Sequence, residues 1–220
     1  MFYRDSDHVY RVSELDSFPW LIHGFGTRLA DIPAAFPQLA TVKQIHSTEC
    51  VEGDGRSGVL GKADALIESN EGAVVAVRTA DCIPVLLVDP VRRAVAAVHA
   101  GWRGTAGGIA GKTITRMRER FGTEAADLHA AIGPGIGKCC YEVGPEVAEQ
   151  FAQHGTTHLD LTEENRRQLI AAGVTPGRIY ASNLCTKCRP EEFHSYRRDR
   201  DDAGRLYSFA GLRPAGPAVK

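Results

Sequence analysis

Three side chains of soft-metal ligand type, His46, Cys82 and His99, each stand at the end of a short apolar segment that reads as a strand. Two imidazoles and one thiolate suit zinc, and three protein ligands leave a fourth position open, the pattern of a catalytic site rather than a closed structural one. Cys82 and His99 bracket the run IPVLLVDPVRRAVAAVH, in which Asp89 and Pro90 have the preferences of the first two positions of a type I turn. A hairpin folded about Pro90 and Val91 sets residues 82 and 99 opposite each other. Opposed residues of an antiparallel pair hold their Cβ atoms about 4.5–5.5 Å apart, within reach of one shared ion. No spacing rule places His46, far upstream in VKQIHSTEC, beside them. Against the metal reading, a free cysteine and a lone strand histidine are more often structural than ligating. In its favour, the AGWRG after His99 interrupts an apolar strand with two glycines, an indole and a fixed charge, and such local inconsistency marks sites.

The remaining chemistry-bearing residues give weaker signals. Without a secretory leader, six cysteines read as thiols rather than a disulfide framework. Cys185 and Cys188 form a CxxC, and with Cys139 and Cys140 they suggest a four-cysteine structural zinc. Adjacent cysteines argue against it, because successive side chains of an extended segment point to opposite faces. A redox CxxC lacks the βαβ context it needs, and Cys50 reads as structural. In GWRGTAGGIAGKT, Gly111, Lys112 and Thr113 match the end of a phosphate loop, yet Ala106 stands where its first glycine belongs. A tight strand-to-helix turn explains the glycines equally well, while Arg103 favours an anion.

The elements that must position these residues follow from pattern. Segments 74–80, 84–89 and 94–99, dense in valine and alanine, predict three strands of a central sheet. KTITRMRERFG predicts a helix with Ile114, Met117 and Phe121 on one face and a stop at Gly122. Two more helices are expected, one from Pro145 and one from about Thr162, each ending at a glycine. The mixture predicts an α/β or α+β fold, a single-domain layered sandwich over 1–220 with a mixed central sheet and an antiparallel hairpin over 84–99. Basic and acidic residues nearly cancel, 26 against 27, which removes the electrostatic case for a nucleic-acid partner and favours a small substrate. The opening residues lack the layout of a secretory signal and no apolar run is long enough to span a bilayer, so a soluble cytoplasmic protein is expected, with no membrane partner.

Several motifs resemble a known family. KQIH at 43–46, ADALIES at 63–69, RTADCIPVLLVD at 78–89, AAVHAGWRG at 96–104, IGPGIGKCCYEVG at 132–144 and the later CT and SYRRD are similar, in order, to the laccase-domain family. That family, multicopper-polyphenol-oxidase-like by its older name and also called the YfiH family, includes bacterial purine nucleoside phosphorylases with adenosine deaminase activity. The resemblance implies a zinc site of His46, Cys82 and His99, supplying the partner that spacing could not. It also implies phosphorolysis of adenosine, inosine, guanosine and 5′-methylthioadenosine, and hydrolysis of the adenine amino group. Phosphorolysis needs cations to hold phosphate, for which Arg28, Lys43 and Arg103 are the candidates, and Asp81 beside Cys82 is a candidate acid, base or ligand-orienting group. Arg197 and Arg198 are expected to brace the fold. The chain departs from the family pattern in the LADIP after HGFGTR and at Ser47, Gly135 and Lys138, positions that bear on substrate preference rather than on the metal ligands.

Other readings stay open. Cys82 activated by an imidazole could be the nucleophile of an amide hydrolase or editing enzyme. Copper-dependent phenol oxidation follows from the older family name, but multicopper centres need more clustered histidines than the eight scattered here. A metal could also be purely structural.

Overall fold

The computed structural model describes residues 1–155 and 157–214; Thr156 and the end of the expected 1–220 domain, 215–220, lie outside the described residues. In chain order the strands are β1 (Phe2–Arg4), β2 (Val9–Val12), β3 (Leu21–Gly26), β4 (Ala40–Lys43), β5 (Cys50–Glu52), β6 (Gly58–Lys62), β7 (Ala65–Glu68), β8 (Val74–Thr79), β9 (Ile83–Asp89), β10 (Ala94–Ala100), β11 (His129–Ile132), β12 (Ile179–Ala181) and β13 (Leu206–Leu212). The helices are α1 (Ile32–Ala35), α2 (Trp102–Ala106), α3 (Ile109–Phe121), α4 (Pro145–Ala148), α5 (Leu161–Ala171) and α6 (Tyr196–Asp199). A seven-stranded sheet runs β1-β2-β3-β13-β8-β4-β6 and a six-stranded sheet runs β12-β11-β9-β10-β7-β5. Both sheets are mixed, with parallel pairs such as β4 with β8 and β11 with β12 among antiparallel ones. The fold is mixed α/β, as the pattern of elements predicted.

Why the apolar runs of β9 and β10 do not alternate with polar residues is explained by the layers. Every residue of both strands is buried, because the six-stranded sheet is covered on both faces. Val85, Leu87 and Val98 pack with Ile114 and Met117 of α3, whereas Leu86, Val88 and Ala97 pack with Phe25, Val75 and Val77 of the other sheet. Strand parity therefore decides which side chains enter the space between the sheets.

Four expectations need correction. The segments 74–80, 84–89 and 94–99 do form strands, but β8 belongs to the seven-stranded sheet and β9 and β10 to the other. The reason is the turn at Asp81, whose φ of 87° carries the chain from one sheet to the next. The hairpin register is also shifted by two residues. Asp89 pairs with Ala94, leaving a turn of residues 90–93 in which Asp89 Oδ1 accepts the N–H groups of Val91 and Arg92 and Arg93 is left-handed. His99 thus pairs with Pro84, and continuing the ladder sets Gly101, not His99, opposite Cys82. The helix expected from Lys112 begins at Ile109, after a left-handed Gly108, and stops at the expected Gly122. The helix expected from Pro145 ends after Ala148 and passes into a single 3-10 turn, closed by Ala152 at a φ of 53°. By contrast α5 forms close to expectation, beginning at Leu161 with the Asp160 side chain accepting the Glu163 N–H at 3.0 Å. Among the described residues no helix is long and apolar enough to cross a membrane.

One buried imidazole links this fold to pH. His23 of β3 is 3% exposed and its Nε2 accepts the Val12 N–H at 3.0 Å. Burial, reinforced by the nearby Arg11 charge, pushes its pKa down to about 4. The unfolded chain then binds that proton more readily, so stability present at neutral pH is lost as pH falls from about 6.5 toward about 4. The urea midpoint is expected to drop between pH 7 and pH 5, and His23→Asn is expected to flatten that drop. An equally steep dependence in the variant would show that other groups cause it.

Candidate metal centre

Parity and register assemble the site at one end of the space between the sheets. On β10, His99 shares the face of Val95 and Ala97, which point toward the seven-stranded sheet. Cys82, just before β9, has the parity of Leu86 and Val88 on the same side. On the other flank of β10, Val98 pairs with Ala65, which places Asp64 opposite His99, and the His99 N–H donates to the Asp64 carbonyl at 2.7 Å. His46 arrives from the loop after β4.

What holds that loop is the carboxylate of Asp64, itself fully buried. Its oxygens accept the N–H groups of Ile45, His46 and Ser47 at 3.2, 3.0 and 2.6 Å and the Ser47 hydroxyl at 2.7 Å. Three successive amides can reach one carboxylate only because His46 takes a left-handed φ of 59°. The same carboxylate meets His99 Nδ1 at 2.8 Å. Nδ1 therefore carries the proton toward Asp64 and Nε2 is turned to the other side, the relation that orients metal-binding imidazoles. Burial would raise the Asp64 pKa, but hydrogen bonds from His99 and Ser47 override it and hold the carboxyl well below the usual range. Burial likewise opposes charge on His99, yet Asp64 and Cys82 outweigh it and push its pKa up to about 9. His46 moves the other way, lowered by partial burial and by the His99 charge.

Ligand atoms of His46, Cys82 and His99 lie within 4.8 Å of one another, and the two imidazole rings are 5.0 Å apart at their centroids. A β-carbon placed on Gly101 would stand 3.1 Å from Cys82 Sγ and 3.2 Å from His46 Nδ1. Gly101, brought opposite Cys82 by the shifted register, thus preserves the space that an ion would fill. Two nitrogens, one sulfur and a cleared space among them fit zinc.

The three donors open onto a cavity of about 840 Å³. Lys43, Arg78, Arg197 and Arg205 line it, as do the rings of Trp102 and Tyr141. Of the three cations named from sequence, only Lys43 is on the wall. Arg28 lies elsewhere, because the backbone bond from its N–H to the Glu192 carbonyl sets its guanidinium on the Pro190 carbonyl at 2.7 Å. Arg103 stands one layer back, its guanidinium 4.3 Å from the centre of the Trp102 ring. Asp81 lines the cavity, with one oxygen taken by the Thr186 hydroxyl and the other by the Arg197 N–H, both at 2.7 Å. Arg197, expected as a brace, does both: its Nη1 donates to the Glu142 carbonyl at 2.9 Å while its guanidinium lies over Tyr141 at the wall. Arg198 is a brace, donating to the carbonyls of Thr186 and Phe193. The glycine-rich stretch is no phosphate loop: Gly111, Lys112 and Thr113 lie inside α3, and Lys112 Nζ donates to the Thr48 hydroxyl at 3.0 Å.

The objection to a four-cysteine cluster also fails. Cys139 and Cys140 lie in a turn, not an extended segment, and ligand atoms of Cys139, Cys140, Cys185 and Cys188 all lie within 4.8 Å of one another. Sequence reasoning missed Asp64, Arg78, Tyr141 and Arg205. Asp64 alone left a signal, an acid set in the otherwise apolar ADALI.

Two substitutions test the centre. Asp64→Asn is expected to weaken zinc binding about 10–100-fold in a competition titration, the usual scale for removing the carboxylate behind a histidine ligand. Gly101 has φ −70° and ψ 170°, which alanine adopts freely, so Gly101→Ala is expected to fold normally and lose the zinc held by His46, Cys82 and His99. Unchanged zinc affinity in both variants would contradict the geometry.

Comparison with known proteins places this arrangement. A family model described as multi-copper polyphenol oxidoreductase laccase matches residues 27–213. The purine nucleoside phosphorylase YlmD of Geobacillus stearothermophilus is 41% identical over 164 residues, 68% of this chain and 60% of that protein. The adenosine deaminase RL5, from an unknown prokaryotic organism, is 38% identical over 169 residues, 70% of this chain and 64% of that protein. The matches thus span less than two thirds of the length of either relative. The crystal structure of the hypothetical protein YfiH of Bacillus licheniformis superposes with a TM-score of 0.87 at 29% identity, covering 96% of this chain and 99% of that one. The chain belongs to the multi-copper polyphenol oxidoreductase laccase family, the family of YfiH and YlmD.

Proposed function

We propose that the chain is a zinc-dependent purine nucleoside phosphorylase, acting on adenosine, inosine, guanosine and 5′-methylthioadenosine, that also deaminates adenosine. The observation that carries this reading is the convergence of His46, Cys82 and His99 on a cavity that also presents cations and aromatic rings. Relatives named as a purine nucleoside phosphorylase and as an adenosine deaminase support it. Its volume lies within the range of small-molecule sites. A zinc ion held by the three donors would supply Lewis acidity where negative charge develops.

The chain's own groups have separable tasks. Asp64 keeps the His99 proton on Nδ1 and fixes the ring. Lys43, Arg78, Arg197 and Arg205 hold phosphate, whose oxygen attacks the ribose C1′ as the bond to the purine nitrogen breaks. Trp102, braced from behind by Arg103, and Tyr141 offer faces for the purine. Burial, with the Cys82 charge, pushes the Tyr141 phenol up to about 12, so it stays protonated and can donate to the departing base. Asp81 acts through others, setting Arg197 and the Thr186 loop. In deamination, water adds at the purine carbon bearing the amino group and ammonia leaves.

A second reading has one observation behind it. The contact between His99 and Cys82 that raises the imidazole pKa is also what a thiolate–imidazolium nucleophile would use in a cysteine-dependent amide hydrolase. Chelation separates the two, since it would abolish the proposed activity and would expose the thiolate that a nucleophile requires. Copper oxidation of phenols is less well supported, because among the described residues only His46 and His99 join a cysteine there.

Purified protein incubated with adenosine is expected to yield adenine and ribose 1-phosphate only when phosphate is present, and inosine in its absence. Arg78→Ala is expected to raise the phosphate KM about tenfold, roughly 1.4 kcal/mol, while leaving deamination in place. Formation of neither adenine nor inosine by zinc-loaded protein would overturn the proposal.

A further inference from the structure

The thiols of this chain are not evenly used: Cys82 faces the cavity, Cys50 packs against the core, and the other four share one place. That place follows from topology. β11 and β12 are parallel neighbours, so the segments leaving them emerge at the same end of the sheet. A bridge between Gly135 and Cys185 keeps the two segments together, with the Gly135 N–H on the Leu184 carbonyl at 3.2 Å and the Thr186 N–H on the Gly135 carbonyl at 2.9 Å. One segment then presents Cys139 and Cys140, the other Cys185 and Cys188.

The sulfur separations identify what fits between them. Cys188 Sγ lies 3.7 Å from Cys139 Sγ and 3.4 Å from Cys140 Sγ. A disulfide needs about 2.05 Å. Four thiolates around a tetrahedral zinc, with zinc–sulfur bonds of about 2.3 Å, stand about 3.8 Å apart. The observed spacings are those of the second arrangement. Gly137 completes it: its N–H points at Cys185 Sγ from 3.3 Å, a backbone donor for thiolate charge, and a β-carbon there would crowd Cys139 Sγ and Cys185 Cβ at 3.3 Å each. Lys138 and Lys187, the sequence neighbours of Cys139 and Cys188, offset the negative charge of a tetrathiolate.

We propose that Cys139, Cys140, Cys185 and Cys188 bind a structural zinc ion, closed to substrate and separate from the His46, Cys82, His99 centre. Binding converts four thiols to thiolates and releases their protons. The ion clamps together the two segments that carry Tyr141 and Arg197 to the cavity wall, where the Arg197 guanidinium lies 5.1 Å over the Tyr141 ring.

Zinc content per chain and thermal stability test this on the full chain, prepared under reducing conditions with zinc and freed of excess metal. The unmodified protein is expected to hold about two equivalents, Cys188→Ser about one, His99→Asn about one and the double variant almost none. Cys188→Ser is expected to melt lower than the unmodified protein. Should Cys188→Ser fail to fold, His99→Asn loaded with cobalt(II) provides the second readout: intense sulfur-to-metal absorption with a tetrahedral visible spectrum is expected. A single equivalent that His99→Asn removes entirely, four freely titratable thiols, or a mass showing a disulfide among these cysteines would each overturn the proposal.

Discussion

The Asp64 carboxylate is the interaction on which the candidate metal centre depends. It gathers five donors: three consecutive backbone amides, a hydroxyl and an imidazole. A carboxylate buried without partners costs several kcal/mol, while each hydrogen bond to a charged group returns about 1.5–3 kcal/mol. With all five in place the ion is stable in the interior; with any segment missing, the same burial becomes a penalty. The backbone conformation of His46 and the ring orientation of His99 are therefore consequences of satisfying one charge.

The layers explain why this happens where it does. A sheet covered on both faces must bury every strand residue, so chemistry can open to solvent only where its strands end. At that end the turn through Asp81 delivers Cys82 from one sheet to the next, the β10 terminus delivers His99, and Gly101 keeps the intervening space clear. The cavity wall is completed by segments remote in sequence, those carrying Tyr141 and Arg197, and Asp81 holds the second of them through the Arg197 N–H.

Much of this was legible in the sequence, for identifiable reasons. Cys82 and His99 were readable as partners because both flank one hairpin, and even a register wrong by two residues leaves them on the same face. His46 was not readable from spacing, since its position depends on a buried acid whose five bonds come from two distant segments; only family resemblance supplied it. The clamp residues were the least legible. Arg28 and Arg103 have the right charge, but whether a guanidinium reaches a cavity is decided by local backbone bonds such as that of Arg28 to Glu192. Alternation misjudged Cys139 and Cys140 because that rule holds for strands and they occupy a turn. The division of β8 from β9 and β10 was hidden for a similar reason: three apolar runs look alike, and the crossing between sheets rests on one left-handed residue.

The most direct test is anomalous diffraction at the zinc absorption edge from crystals of the metal-loaded protein. A peak is expected about 2.0–2.1 Å from a nitrogen of His46 and from Nε2 of His99, and about 2.3 Å from Cys82 Sγ, with His99 Nδ1 still on Asp64. No peak among these three side chains in crystals that bind zinc elsewhere, or coordination through His99 Nδ1 with Asp64 displaced, would contradict the arrangement.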